Sequence, residues 1–240
     1  MQAVILAAGQ GTRLRPLTDH CPKCLVEVQG KPILQYQMEA LSEAGVRECV
    51  VVVGHRAGQV RSYFGPKFRD LSITYVENQI FERTNNIYSL WLARHEVTED
   101  MLLLEGDLIF EPDLLADLLD LPCDNAAVVD GFQSFMNGTV ILARGDVADA
   151  MVLKRDQPEG FNYRPALKTV NIYKFCHRTV MSLMRSLGDY VSEGLTDHYY
   201  EMAISEAIED GTMRLNVLRT GLHAWAEVDT PEDLADAESM

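Results

Sequence analysis

The sequence predicts an α/β protein with a mainly parallel sheet flanked by helices, and three observations carry that prediction. Several apolar runs are solid rather than alternating: Ala3-Val4-Ile5-Leu6, Cys49-Val50-Val51-Val52-Val53 and Met101-Leu102-Leu103-Leu104. Segments with helical apolar spacing lie between them. Each run soon meets a turn signal, at Gly9, at Gly54 or at Glu105-Gly106-Asp107. Strands that are apolar on both faces must be covered on both faces, as parallel strands joined by crossover helices are.

Taken in order, residues 3–6 form the first buried strand. From Pro32 to Ala44, apolar Ile33, Leu34, Tyr36, Met38 and Leu41 follow a helical period. Strand 49–53, helix 59–64, strand 73–76, helix 86–94 and strand 101–104 complete the alternation. The pattern changes after Leu121: residues 126–129, 139–142 and 169–173 are expected as short strands without regular helices between them. The polar loop 154–165 holds two prolines and a glycine, and is expected to be a mobile flap. Helices at 177–187 and 197–209 follow, then a strand at 224–228. Thr230-Pro231 starts a terminal helix, Thr as N-cap and Pro at the first helical position. No repeat or low-complexity linker divides the chain, so residues 1–240 are expected to form a single domain.

Composition narrows the function. A chain of 240 residues with 47% apolar content can bury a full core. No stretch approaches the ~20 apolar residues of a membrane span, and the N-terminus lacks a basic region with a cleavage site, so a cytoplasmic protein is expected. A formal net charge of -15 argues against nucleic acid or an anionic membrane as partner. Residues 1–31 run against that trend, with Arg13, Arg15, Lys23 and Lys31 facing only Asp19 and Glu27. Such a local excess suits a small anionic ligand. The five cysteines are scattered, and Cys21-x-x-Cys24 has no second pair, so reduced thiols without metal or redox function are expected.

The most informative run is Leu6-Ala7-Ala8-Gly9-Gln10-Gly11-Thr12-Arg13-Leu14-Arg15-Pro16-Leu17-Thr18, followed by Pro22-Lys23 and Gly30-Lys31-Pro32. Glycines let main-chain N–H groups approach a ligand and cradle phosphate oxygens. Two cations near such a cradle can hold a triphosphate. A tight turn with incidental charges is the alternative. The Walker loop needs Gly-Lys before Ser or Thr, which is absent, and the dinucleotide fingerprint needs Gly or Ala where Leu14 stands. With its internal spacing intact, the run resembles the signature of the nucleotidyltransferases, which join a nucleoside monophosphate to a phosphorylated small molecule and release pyrophosphate. The resemblance implies a Rossmann-like nucleotidyltransferase, or glycosyltransferase-A-like, fold. It also implies a nucleotide-binding half at about 1–121 and an acceptor-binding half at about 122–240. Leu6 to Thr12 would line the nucleotide site, with Arg13 and Lys23 catalytic.

A triphosphate calls for Mg²⁺ and carboxylate oxygens. Asp107 follows an apolar strand and a glycine, at the carboxyl end where ligands collect in open sheets. A solvated aspartate in a turn is the alternative. The resemblance favours the metal, and implies a second ligand from the last strand. There Glu227 and Asp229 share a side of an extended segment, with Asp229 preferred. Glu105 is expected to point to the opposite face.

The segment Thr84-Asn85-Asn86-Ile87-Tyr88-Ser89-Leu90 could simply cap a helix. It also resembles the phosphocholine-type cytidylyltransferases, which implies CTP as the nucleotide. Asn78, Thr84, Asn85, Asn86 and Ser89 would then serve the base pocket. Phe132-Gln133-Ser134-Phe135-Met136-Asn137-Gly138-Thr139 and Leu167-Lys168-Thr169 resemble cytidylyltransferases of phosphonate metabolism. That resemblance implies a small phosphonate or phosphate acceptor, with Ser134, Asn137 and Lys168 beside it; an exposed strand lysine is the alternative for Lys168. An acidic residue is expected at position 137 in enzymes that take 2-aminoethylphosphonate. The neutral Asn137 suits a hydroxyl and favours 2-hydroxyethylphosphonate. The chain then resembles the cytidylyltransferase part of bifunctional fosfomycin-biosynthesis enzymes, as a fragment or a stand-alone relative. Phosphocholine stays open, because Phe132, Tyr199, Tyr200 and Trp225 could cage a quaternary ammonium or pack in a core. A catalytically silent nucleotide sensor is the rival of a different class. No residue pattern indicates an oligomeric state.

Overall fold

The structure is a computed structural model that describes residues 1–240. The first half runs β1 (Gln2–Ala7), β2 (Glu27–Val28), β3 (Lys31–Pro32), α1 (Ile33–Glu43), β4 (Glu48–Val53), α2 (Ala57–Phe64), β5 (Lys67–Phe68), β6 (Leu71–Glu77), α3 (Asn86–Leu92), β7 (Met101–Glu105), β8 (Leu108–Phe110) and α4 (Pro112–Asp120). The second half runs β9 (Asn125–Gly131), β10 (Val140–Arg144), β11 (Val147–Val152), β12 (Ala166–Phe175), α5 (His177–Ser192), α6 (Glu201–Glu209), β13 (Asn216–Arg219), β14 (Trp225–Glu227) and α7 (Pro231–Ala237).

Ten strands form one sheet in the order β10-β11-β13-β9-β12-β7-β1-β4-β6-β5. The solid apolar strands β7, β1 and β4 are mutually parallel, as their composition predicts, and the alternating, half-exposed β6 pairs parallel with β4. The second half extends this core with antiparallel pairings of β12 to β7, β9 and β10, so the complete sheet is mixed. Alternate residues of β1 supply the two cores. Val4 and Leu6 pack with α3, α5 and α6, while Ala3, Ile5 and Ala7 pack with α1, α2 and α4. A third, smaller core joins Leu14, Val26, Val28, Ile33, Ile109, Val228 and Ala237, and seats the N-terminal loop against the C-terminal segment.

Several boundaries differ from expectation for identifiable reasons. The helix expected over 197–209 starts at Glu201, after turns. Strands β8, β11 and β13 are short or half-exposed and carry no clear alternation. The last strand does not join the main sheet: β14 pairs antiparallel with β8, placing Glu227 opposite Leu108. The terminal helix has the expected start. Thr230 accepts from the Asp233 N–H, and Asp233 returns a carboxylate to the Thr230 N–H, a reciprocal capping box.

Candidate active site

Beyond the carboxyl ends of β1 and β7 lies a cavity of about 1070 Å³. Of the residues that the sequence singled out for nucleotide, metal and acceptor, all line it except Gln10 and Ser134. Gln10 is half-buried and lies outside the wall. Ser134 is exposed within the turn that the Met136 N–H closes on the Gln133 carbonyl at 3.0 Å.

The loop after β1 is shaped by close packing. Gly106 lies so near β1 that a Cβ there would sit 2.8 Å from the Leu6 carbonyl oxygen, and one on Gly54 would sit 2.7 Å from that of Ala8. Gly11 has φ 63°, and a Cβ on it would meet the Lys23 and Thr18 side chains at 2.9 Å. The hydroxyl of Thr18 donates to the Gly11 carbonyl at 2.7 Å. A 3₁₀ turn over Thr12–Leu14 then buries Leu14 and leaves Arg13 reaching out.

Asp107 follows β7 in a turn held by Gln37 of α1, whose side-chain amide donates to the carbonyls of Glu105 at 2.9 Å and Leu108 at 2.8 Å. The Val228 N–H donates to the Asp107 main-chain carbonyl at 2.9 Å, which sets Asp229 beside Asp107. Between the two carboxylates sits Lys23. Its Nζ donates to Asp107 Oδ2 at 2.6 Å and also to Asp229 Oδ1. Arg13 takes the other oxygen of Asp229 at 2.7 Å. Burial works against the Lys23 charge, but Asp107 and Asp229 outweigh it and hold its pKa above the usual lysine range. Asp107 Oδ1 is buried and has no partner. No three His, Cys, Asp or Glu side chains converge into a preformed metal cage.

Asn85 is the N-cap of α3, its side chain accepting from the Asn86 N–H at 2.8 Å, so the capping alternative holds for this residue. Asn78 is buried and spends its amide on Thr84 at 2.9 Å and Ser89 at 3.1 Å. These contacts shape the wall that β6 and α3 contribute.

The opposite wall carries the acceptor candidates. Lys168 is 3% exposed, which settles against an exposed strand lysine. Its Nζ donates to the Thr169 carbonyl at 2.7 Å and lies 3.4 Å from Glu227. A shift of register in β12 between Thr169 and Tyr173, with Asn171 at φ 60°, turns this stretch toward the cavity. Asn137 is exposed, and its Oδ1 accepts from the Gly138 N–H at 2.9 Å. Glu105 corrects an expectation: its carboxyl enters the cavity wall rather than the opposite face. It is bound there by Asn86, which also reaches Glu201. Burial raises the pKa of Glu105, with the charges of Asp107 and Glu201 adding to it. Burial likewise raises those of Glu201 and Glu227. Glu201, Asp130 and Asn171 carried no motif signal, since only the folded sheet brings them here.

Two of the aromatic candidates serve elsewhere. Tyr200 is fully buried in the core, and Phe132 stacks on Tyr163 with centroids 4.1 Å apart. Tyr199 and Trp225 do line the cavity, Trp225 donating to Asp130 at 2.8 Å. The 154–165 segment is fastened to the neighbouring loop by that stack and by Gln157, which donates to the Gly138 carbonyl at 2.9 Å.

Comparison with known proteins identifies the family. The chain is 35% identical over 240 residues to the CMP-5'-(3-aminopropyl)phosphonate synthase of Streptomyces rubellomurinus, covering 99% of this chain and 38% of that one. It is 38% identical over 111 residues to the choline-phosphate cytidylyltransferase of Streptococcus pneumoniae, covering 46% of this chain and 47% of that one. The chain spans less than half the length of the first curated relatives it matches. Among solved structures, the CTP:phosphocholine cytidylyltransferase of Streptococcus pneumoniae superimposes with a TM-score of 0.82 at 23% identity, over 99% of this chain and 97% of that one, a likeness of fold. Residues 3–162 match the MobA-like NTP transferase domain, and the chain belongs to that family.

Proposed function

We propose that the protein is a cytidylyltransferase that joins CMP from CTP to a small phosphonate or phosphate acceptor and releases pyrophosphate. The observation that carries this reading is the pairing of Lys23 and Arg13 with Asp107 and Asp229 at the mouth of a glycine loop. The same groups would grip a polyphosphate and its metal. The cytidylyl and CMP-bearing names of the relatives support CTP as donor.

An acceptor oxygen would attack the α-phosphorus in line, forming a P–O bond as the bond to the β-phosphate oxygen breaks. Such an acceptor is already anionic near neutral pH, so positioning and charge stabilisation suffice. Main-chain N–H groups from Gly9 to Thr12 would cradle the β- and γ-phosphates. Arg13 would stabilise the departing pyrophosphate, and Lys23 would bridge the α-phosphate and the incoming oxygen. Lys168 would face the acceptor's anionic group.

The carboxylate pair fits Mg²⁺: Asp107 has a buried oxygen in need of a partner, and Asp229 stands beside it. Two protein carboxylates with the remaining positions left to water and phosphate oxygens are what this hard cation accepts. Bound there, Mg²⁺ would neutralise charge on the polyphosphate. Glu227 is a further oxygen donor on the same side.

For the acceptor, neutral Asn137 favours 2-hydroxyethylphosphonate. A second reading, an amine-bearing phosphonate or phosphate, is favoured by Glu201, a 5% exposed carboxyl in the cavity wall with no cation in contact. Buried charges are ordinarily paired. A pyrophosphate-release assay with CTP and Mg²⁺ tests both readings, using 2-hydroxyethylphosphonate, 2-aminoethylphosphonate, phosphocholine and a sugar 1-phosphate as acceptors. Release with a phosphonate or phosphocholine is expected. Release only with the sugar phosphate overturns the acceptor, and no release with any acceptor leaves the silent sensor.

A further inference from the structure

In the free protein the two cations expected on the nucleotide are spent on the two carboxylates expected on the metal. We infer that Lys23 is an internal counter-ion that occupies the place of the divalent cation and must move away before one can bind. This inference rests on the proposed nucleotidyltransfer reading, though its test uses no nucleotide.

Three observations support it. The Lys23 ammonium contacts one oxygen of each carboxylate, and the three side chains are between 14% and 20% exposed, so solvent screens the contact poorly. The contact is nonetheless incomplete. Asp107 Oδ1 stays buried without a donor, although leaving a buried acceptor unpaired is costly. A bridge serving only the fold would be expected to satisfy both oxygens; this one leaves a ligand atom free. Finally, the stem of Lys23 packs directly beneath Gly11, where even a Cβ would approach it to 2.9 Å. The ammonium is therefore tethered beside the N–H groups expected to cradle phosphate. It can exchange a carboxylate oxygen for a phosphate oxygen by side-chain rotation, with no movement of the backbone.

The consequence is that metal and nucleotide bind synergistically. A divalent cation alone must displace a tethered ammonium from both aspartates. A nucleotide phosphate offers that ammonium another anion and uncovers the carboxylates as it does so. Arg13 repeats the arrangement on the outer oxygen of Asp229, with its guanidinium far more exposed.

The test is Mn²⁺ binding to the full chain without nucleotide, followed by electron paramagnetic resonance of free Mn²⁺. Wild-type protein is expected to bind weakly. Lys23→Met and Lys23→Gln are expected to tighten Mn²⁺ by about tenfold or more, the low end of coupling for close charge pairs. Lys23→Arg should stay weak, and Asp107→Asn added to Lys23→Met should abolish the gain. Thermal melts identify any variant that fails to fold, and the two neutral replacements provide independent routes. Unchanged or weaker Mn²⁺ binding in a folded neutral variant would overturn the inference. Failure of the cytidylyl assay with this result intact would refute the proposed reaction and leave the counter-ion standing.

Discussion

Glu105 and Glu201, far apart in the chain, share one amide: the Nδ2 of Asn86 donates to Glu105 Oε1 at 3.0 Å and to Glu201 Oε2 at 3.4 Å. The other end of that amide accepts from the Tyr200 N–H at 3.0 Å. Asn86 thus ties the start of α6, part of the wall assigned to the acceptor, to the start of α3, part of the wall assigned to the nucleotide.

Burial raises the Glu201 pKa, and the opposing hydrogen bonds and the Lys168 charge do not cancel it. The folded protein therefore keeps that proton to higher pH than the unfolded chain does. Stability contributed by this group falls as pH rises from the unfolded carboxylate range through the folded value. Glu201→Gln, which can still accept from Asn86, should raise the thermal midpoint at pH 8 by about 2–4 °C and flatten its dependence above pH 5. Melting curves across pH 5–8 check this, and a lower midpoint at pH 8 would contradict it.

Lys23→Ala should keep the fold and cut turnover about a hundredfold, as removal of one transition-state donor does. Steady-state pyrophosphate release together with circular dichroism provides the check. Unchanged turnover would remove Lys23 from the catalytic groups.

His223 bonds Asp117 of α4 at 2.8 Å and lies 3.5 Å from Glu111. The bond to Asp117 outweighs the small effect of burial and raises the imidazole pKa. The tie it makes between α4 and the turn before β14 is complete below the ordinary histidine pKa, and is lost as pH rises through the raised value. The difference in melting midpoint between wild type and His223→Asn should accordingly be largest near pH 6 and shrink by pH 9.

Gly106→Ala should destabilise the protein by about 1–3 kcal/mol, because the new methyl would press on the backbone of β1 rather than on a side chain able to yield. Urea unfolding midpoints measure this. The same push would displace Asp107, so activity should fall more than stability alone explains.

What the sequence revealed of the site is what lies close together in the chain. The glycine loop, Arg13, Lys23 and Asp107 announce themselves by local spacing, and the apolar runs of β1, β4 and β7 predicted their own parallel pairing. Lys168 was ambiguous, since its burial comes from β9 and β10 flanking β12. The expectation that Glu105 faces away runs against simple alternation, which puts residues two apart on one side, and the cavity is lined by both Glu105 and Asp107. Glu201 had no local signal at all. It opens a helix after a turn, and only the contact of α6 with the sheet reveals its neighbours. Asn86, a candidate for the base pocket, lines the cavity and commits both ends of its side chain to protein partners.

The three-residue ladder between β14 and β8 has a consequence for biosynthesis. Asp107 emerges from the ribosome well before Asp229, and the small core beneath the loop also waits for Val228 and Ala237. A nascent chain halted before residue 225 would hold the glycine loop and one aspartate while lacking the second. Competence should therefore arrive abruptly once residues 225–237 have been made, and truncations within that stretch should be all-or-none rather than graded.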